Sequence, residues 1–537
     1  MLDDSAIFTS DWLYPAFSGV TAHSGDLQPQ AFLSAEFRGG HQENGLDSLT
    51  VGQAALQLTR DDLTWGPASQ PVTLTYAFRP RGPIDMPGDS GGFSLFNAPQ
   101  IAQTKLALQA WSDVAQINFV QLNPGGFSPN ATILFGNYEH GEDDAAAFAY
   151  LPGDAGPLSS DGDVWVNSSE VYNHNPFTFT YGGLVLVHEI GHALGLDHPG
   201  NYGTGSDVDP NYLGHAGYAE DSLQYTVMSY FSEFNTGGDF RELYPAAPML
   251  DDIAAIQLLY GANMTTRTGD TVYGFNSTAL RPWFDATGAK QVVFAAWDAG
   301  GSDTFDFSGY LDNAVIDLRQ GHFSSVGGLT GNVAVAIGTD IERALSGGGD
   351  DQLLGNALAN WLRGGAGADQ ISGFAGIDDM QGNAGTDTLW GGDGADWVVG
   401  GQDGDQLNGE AGDDLIYGNL GSDTALGGDG NDTITAGQQD DLVRGENGDD
   451  WLGGDRGNDT LFGGAGADSF RFFVGAGVDK VMDFNLAEGD RVLITGSGAY
   501  TVSQMGSDTV VDFGGGDQVV LAGVTASNLS GSWIVAG

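Results

Sequence analysis

The sequence predicts a multidomain protein in which an α+β domain is followed by an all-β parallel β-roll. Two patterns carry this prediction. Helix and strand periodicities alternate up to about residue 264, and beyond it a nine-residue repeat holds glycine and aspartate in fixed phase. Size agrees, because 537 residues are several times the usual domain length.

Residues 1–50 mix Gly, Ser, Gln and scattered aromatics without a period and are expected to form an N-terminal extension or propeptide. The α+β domain is expected over 51–264. Within it Val72 to Phe78 alternates in period two, which predicts a strand. Asn97 precedes Ala98-Pro99 as a cap, and Ile101, Thr104, Leu108, Trp111 and Ala115 follow helical spacing. Ala131 to Phe135 is strand-like, a second helix is expected around 183–196, and a third near Asp251 to Tyr260 stops at Gly261. Residues 265–345 lead into the roll, 346–473 carry the repeats, and 474–537 form a C-terminal cap.

Charge narrows the function classes. The chain has 71 Asp+Glu against 17 Lys+Arg, a formal net charge of -54, which repels a nucleic-acid polyanion. With 41% hydrophobic and 11% aromatic residues it is nonetheless a folding sequence, so its carboxylates call for bound cations. Cys is absent, which removes disulfides and thiolate metal sites. The first residues lack the basic and apolar regions of a Sec signal, and no apolar stretch is long enough to span a membrane.

Between Ser346 and Phe470 there are 33 Gly, 22 Asp and 2 Glu against 3 Arg and no Lys, a local charge of −21. Stepping by nine from Asp351 meets Asn360 and then Asp369, Asp378, Asp387, Asp396, Asp405, Asp414, Asp423, Asp432, Asp441, Asp450, Asp459 and Asp468. Two positions further on the residue is always apolar, from Leu353 and Leu362 to Leu461 and Phe470. The unit is Gly-Gly-x-Gly-x-Asp-x-apolar-x, clearest at Gly391-Gly392-Asp393-Gly394-Ala395-Asp396 and Gly427-Gly428-Asp429-Gly430-Asn431-Asp432. Gly364, Gly365 and Gly367, and then Gly382 and Gly385, keep the same phase. Glycines permit a tight turn with inward carbonyls, and the Asp adds a carboxylate, so each turn offers hard oxygen donors to Ca²⁺. Two units per coil give seven coils from fourteen repeats, stacked at about 4.8 Å. Three units depart from the pattern: Asn360 lacks the charge, Gln439 replaces a Gly before Asp441, and the Gly is displaced at Asp403-Gly404-Asp405.

The second constellation is His188-Glu189-Ile190-Gly191-His192-Ala193-Leu194-Gly195-Leu196-Asp197-His198. On a helix His188 and His192 share one face and can bind one Zn²⁺, while Glu189 reaches a metal-bound water. Gly195 lets the chain leave the helix and His198 return as a third imidazole, keeping one metal position open.

Followed by Tyr225-Thr226-Val227-Met228-Ser229-Tyr230, this motif resembles the metzincin zinc endopeptidases and, within them, the serralysin family. The likeness runs from about Leu49 through Trp65, Trp111, the Asn130 to Tyr138 strand and Asp251-Asp252-Ile253, then through the whole repeat domain. The resemblance implies a metzincin-like catalytic domain and an RTX β-roll. It implies that Met228 underlies the three histidines, and that Tyr230 is a further zinc ligand or an oxyanion stabiliser. It also implies Ca²⁺ sites between the domains at Arg267, Gly269 and Thr271, at Asp298, Gly300, Gly301 and Asp303, and at Asp340 and Glu342. The implied protein is a secreted monomeric zymogen exported by a type I secretion apparatus, with a secretion signal within 474–537 and scope for a periplasmic proteinaceous inhibitor. The terminal residues Trp533-Ile534-Val535-Ala536-Gly537 depart from the acidic and bulky apolar ending common in the family.

The function expected is zinc-dependent endopeptidase activity of broad specificity on protein and peptide substrates, with Glu189 as proton carrier and Tyr230 supporting the oxyanion. Substrate is expected along an edge strand, with Ala131 to Phe135 as candidate. The alternative is a calcium-dependent extracellular binding or adhesion protein with an inactive protease-like domain.

Overall fold

The computed structural model describes residues 37–536 apart from 84–85, 87–90, 140–144, 154–158, 203–209, 289 and 497–498. The expected extension therefore lies outside the described residues up to residue 36. Its remainder is packed against the α+β domain: a short hairpin pairs Gln42–Glu43 with Leu46–Asp47, and Arg38 and Ser48 are buried.

Among the described residues four longer helices and one five-stranded sheet build the first domain, with single helical turns at Val171–His174 and Tyr212–His215. Thr50 caps α1 (Val51–Leu58) in a reciprocal box with Gln53, which sets Val51, Ala54, Ala55 and Leu58 on one buried face. Asn97 and Gln100 cap α2 (Ala98–Val114) in the same manner, with Pro99 in the first turn. The third helix, α3, spans Tyr181–Ala193 and ends before the expected 196, because Gly195 takes a left-handed φ of 106°. The fourth, α4, spans Leu250–Tyr260 and stops at Gly261.

The sheet contains β1 (Val72–Phe78), β2 (Ile117–Gln121), β3 (Ile133–Tyr138), β4 (Ala147–Ala149) and β5 (Val164–Asn167), in the order β2-β1-β3-β5-β4. All neighbours are parallel except β4, which runs antiparallel to β5. The expectation that Ala131 to Phe135 forms an edge is thus corrected. Its strand, β3, is central and buried along its length, because β1 and β5 use both of its sides. The edge beside α3 is β4.

Beyond residue 271 the chain winds into two twelve-stranded sheets. The repeat strands from Gln352–Leu354 to Ser469–Phe473 alternate between the sheets, and successive strands of one sheet pair parallel at a shift of eighteen residues. Leu353 thus opposes Ile371 and then Leu389, while Leu362 opposes Met380 and then Val398, and all six are fully buried. Each coil places two apolar side chains in a single column, at about 1.5–3 kcal/mol apiece for a Val, Leu or Ile. At the C-terminal end the antiparallel strands Thr501–Met505, Asp508–Gly514 and Asp517–Leu521 close one sheet, and Ile534–Ala536 adds to the other.

At Gly394, the third glycine of its unit, a side chain has no room. Gly394 has φ 154°, and a Cβ there would lie 1.6 Å from the carbonyl oxygen of Gly376 one coil earlier. Asp403 and Gln439 occupy this phase in two of the departing units and take φ 71° and 83°. They keep a left-handed turn at this phase.

The domains share a core. Val293, Ala295, Trp297, Phe323 and Ala334, from the start of the roll, are buried with α2, α3 and α4, and the Phe323 ring meets Tyr225 at 5.0 Å.

Candidate metallopeptidase site

The site is built on α3, whose Thr180 cap accepts the Gly183 N–H at 3.2 Å. Three donors from distant parts of the domain bind carbonyls at its far end. Trp111 Nε1 donates to Val187, Trp65 Nε1 to Ala193 and the Tyr260 hydroxyl to Leu194, at 3.0, 2.7 and 2.7 Å. His188 and His192 therefore project from a clamped helix. Gly195 then reverses the chain under Leu63, whose carbonyl would be 2.1 Å from an added Cβ.

His198 comes back to the helical pair. The three Nε2 atoms form a triangle with sides of 3.1, 3.1 and 3.2 Å, and all three residues are buried. Each Nδ1–H donates to a carbonyl: His188 to Val227 at 2.8 Å, His192 to Leu196 at 2.7 Å and His198 to Tyr202 at 3.3 Å. That fixes the tautomer, so three Nε2 lone pairs converge with no proton between them. Burial, and then the neighbouring imidazoles, hold His192 and His198 well below the usual histidine range, which keeps them in the ligand form. Among the described residues this is the group of three or more His, Asp or Glu whose donor atoms lie close enough to hold a metal ion. Converging neutral imidazoles with anchored far nitrogens fit Zn²⁺.

Beneath the triangle lies Met228, fully buried, with its sulfur 2.6 Å from where a Cβ on Gly191 would sit. Glycine between the two helical histidines thus makes room for the methionine. Asp252 on α4 holds this turn: Thr226 Oγ1, Val227 N–H and Met249 N–H donate to its carboxylate at 2.5, 2.7 and 2.9 Å. Since Val227 also receives His188 Nδ1–H, the Asp252 carboxylate is one residue removed from the first imidazole. Glu189 is fully buried next to His188, and the Tyr230 ring lies 4.5 Å from the His198 ring. Of the six residues that the sequence placed here, the three histidines, Met228 and Tyr230 are brought together, and Glu189 is buried beside His188 on the same helix.

At the domain junction Arg267 points its guanidinium at Asp113 and the Trp297 carbonyl, which leaves only its own carbonyl for a cation. The Asp303 carboxylate accepts from Thr271 N–H, and Glu342 accepts from Asp303 N–H, both at 2.7 Å. Asp298 accepts from the Gly300 N–H and from the Tyr273 hydroxyl. Gly301 packs on the Gly269 backbone. Asp340 is exposed and accepts from Gln320 Nε2 at 2.8 Å, and its charge acts on Glu342.

In the roll each repeat carboxylate from Asp369 to Asp468 has two fates, whereas Asp351 accepts from Ala314 N–H and Gly347 N–H. One oxygen accepts the backbone N–H of the Asp or Asn eighteen residues earlier, as in Asp351 to Asp369 at 2.9 Å and Asp414 to Asp432 at 2.9 Å. The other oxygen, on the twelve Asp from Asp369 to Asp468, is buried with no hydrogen-bond partner. Glycine lies against these oxygens, at 2.3 Å for a Cβ on Gly364 and 2.2 Å on Gly382. Twelve unsatisfied buried carboxylate oxygens are costly without a cation and fit a hard one. Asn360 differs, since its side chain bonds Asn356 N–H at 2.7 Å.

Sequence reasoning missed the ends of this ladder. Asp459 N–H donates to Asp479 and Asp468 N–H to Asp490, at spacings of 20 and 22 that break the nine-residue step. It also missed Asp252 as the support of the methionine turn, although Asp251-Asp252 was part of the family likeness.

A three-histidine helix-and-loop site over a buried methionine, on a mostly parallel sheet with one antiparallel edge, defines a zinc metallopeptidase of the metzincin class. The family described as "Matrixin" matches residues 94–204, and that described as "Peptidase M10 serralysin C terminal" matches 262–528. The chain is 46% identical over 366 residues to "Metalloprotease AprA" of Pseudomonas entomophila (strain L48), covering 64% of this chain and 74% of that one. It is 48% identical over 317 residues to "Serralysin C" of Dickeya chrysanthemi, covering 58% and 65%. It is 45% identical over 358 residues to "Metallopeptidase AprA" of Pseudomonas marginalis, covering 64% and 74%. The chain belongs to the serralysin family. It is a secreted zinc metalloendopeptidase acting on proteins, and the reading as an inactive binding protein is not favoured. No described helix is long and apolar enough to cross a membrane.

Proposed function

We propose that the residues of this endopeptidase divide the work as follows. His188, His192 and His198 hold Zn²⁺, and the triangle of anchored imidazoles is the observation that carries the reading. The metal, when bound, supplies Lewis-acid polarisation of the scissile carbonyl and lowers the pKa of a water. Glu189 takes the proton of the attacking water and passes it to the leaving amine. Tyr230 supports the developing oxyanion.

Substrate backbone lies along β4. Ala146 and Tyr150 bond across to β5, so by antiparallel alternation Ala147 and Ala149 turn their N–H and C=O groups away from the sheet. An extended peptide adds there as a further strand, and main-chain pairing tolerates many sequences, so specificity is broad.

The repeat carboxylates and the junction residues Asp298, Asp303 and Glu342 bind Ca²⁺, which makes the roll a calcium-dependent fold. With cytosolic Ca²⁺ low, the acidic repeat stays unfolded and suits export through a type I apparatus; outside, cation binding folds it.

Casein hydrolysis tests the reading. Activity is expected to vanish on chelation, to return with Zn²⁺ and Ca²⁺ together, and to be absent from Glu189→Ala. Full activity with Ca²⁺ alone, or in Glu189→Ala, would sink the mechanism.

A further inference from the structure

His198 and Tyr230 lie on different loops, yet one buried carboxylate is tied to both. Asp221 is fully buried. Its Oδ1 accepts from the Tyr202 hydroxyl at 2.8 Å and the Ser229 hydroxyl at 2.6 Å, and its Oδ2 accepts from Gly217 N–H at 2.8 Å. Tyr202 leads to the third imidazole. Its carbonyl receives His198 Nδ1–H, and its ring stacks on the imidazole at 5.3 Å and 23°. Ser229 leads to Tyr230, since it sits between Met228 and Tyr230 and its oxygen accepts Phe231 N–H at 3.0 Å. The two routes also touch, with the Tyr202 and Tyr230 rings 5.0 Å apart.

We propose that Asp221 is a positioning residue of the peptidase site, orienting His198 through Tyr202 and Tyr230 through Ser229. It touches neither substrate nor metal in this role. His198 is the imidazole that needs such help. His188 and His192 are fixed by a clamped helix, whereas His198 follows a glycine reversal, and its hydrogen bond to Tyr202 is the longest of the three. Face-to-face packing of the Tyr202 ring sets the plane of the imidazole, and the hydroxyl held by Asp221 sets the ring. The proposal rests on the reading of His198 as a zinc donor.

The test uses the full chain, loaded with zinc in millimolar Ca²⁺. Zinc loss to a chromophoric chelator, kcat and KM on a peptide, and the thermal midpoint are measured. Outer partners of metal ligands are worth roughly 10–100-fold in metal retention or activity. Tyr202→Phe removes one oxygen and is expected to speed zinc loss at least tenfold. Ser229→Ala is expected to lower kcat about tenfold with KM and zinc loss unchanged. Asp221→Asn combines both effects, and if it does not fold the two single-route variants decide. Zinc loss from Tyr202→Phe within twofold of the parent overturns the proposal, as does acceleration that merely tracks a falling thermal midpoint. His198→Ala separates this from failure of the zinc reading. Should His198→Ala retain zinc as the parent does, that reading falls; should it lose zinc while Tyr202→Phe does not, only the role of Asp221 falls.

Discussion

Arg38 and Asp251, 213 positions apart, form a bidentate ion pair at 2.7 and 2.8 Å with both side chains fully buried. Arg38 also donates to the Leu49 carbonyl and lies over the Tyr225 ring, and Asp251 N–H donates to the Tyr225 carbonyl. The pair therefore pins the segment before α1 to the strand of chain that leads into the methionine turn. Breaking a buried pair from one side leaves an unpaired charge, at about 3–5 kcal/mol. Arg38→Ala is expected to lose that much on denaturant unfolding of the first domain, and Arg38→Lys, which cannot form the fork, to recover only part of it. An Arg38→Ala variant as stable as the parent would contradict this account.

Gly195→Ala is expected to release zinc. A side chain there meets the Leu63 carbonyl and must hold φ 106°, a strain of about 1–3 kcal/mol before the clash is counted. The return of His198 depends on that turn. Metal content after gel filtration should fall well below one zinc per chain, while calcium-dependent β-structure of the roll is retained.

Cation removal is expected to give the roll an inverted pH dependence. Burial, and then neighbouring carboxylates, push Asp369 up to about 7 and Asp405 and Asp441 up to about 8. A carboxyl whose folded pKa is raised binds protons more tightly folded than unfolded, so its support is complete below an unfolded pKa of about 4 and is lost as pH climbs through 7 to 8. With excess chelator, circular dichroism should show more β-structure at pH 5 than at pH 8. Millimolar Ca²⁺ should restore it at pH 8, and replacing Asp387, Asp396 and Asp432 together by Ala should raise the Ca²⁺ midpoint while sparing zinc. Equal β-content with chelator at both pH values would refute the cation ladder.

Ala149→Pro tests the substrate edge. The substitution deletes an outward N–H without touching the bonds from Ala146 and Tyr150 to β5. We expect kcat/KM on long peptides to fall about tenfold, the worth of one lost backbone hydrogen bond of about 1.4 kcal/mol, with the thermal midpoint unchanged. Unaltered kinetics would place substrate elsewhere.

Where the chemistry was local, the sequence was legible. The histidine spacing, the Asn97 cap and the nine-residue phase each act within a turn or a coil, so they appear as fixed intervals along the chain. What escaped depends on distant pairing. The strand after Ala131 has the apolar character of any buried strand, and only its parallel neighbours on both sides make it central. The edge strand beside α3 is three residues, Ala147-Phe148-Ala149, too short for alternation to register. Arg38 lies in a stretch without period and finds its partner 213 residues later. Asp479 and Asp490 continue the carboxylate ladder after the interval that revealed it has broken.

The alternation of successive nonapeptides between two sheets quantises the length of this chain. Duplicating eighteen residues adds one full coil, and every later strand keeps its sheet, its inward column and its carboxylate partner. Duplicating nine shifts all later strands to the opposite sheet and delivers the closing hairpin to the wrong stack. Changing the length of this roll while keeping its closing hairpin in place therefore requires whole coils, so an insertion of nine residues is a frameshift in three dimensions although the reading frame is intact.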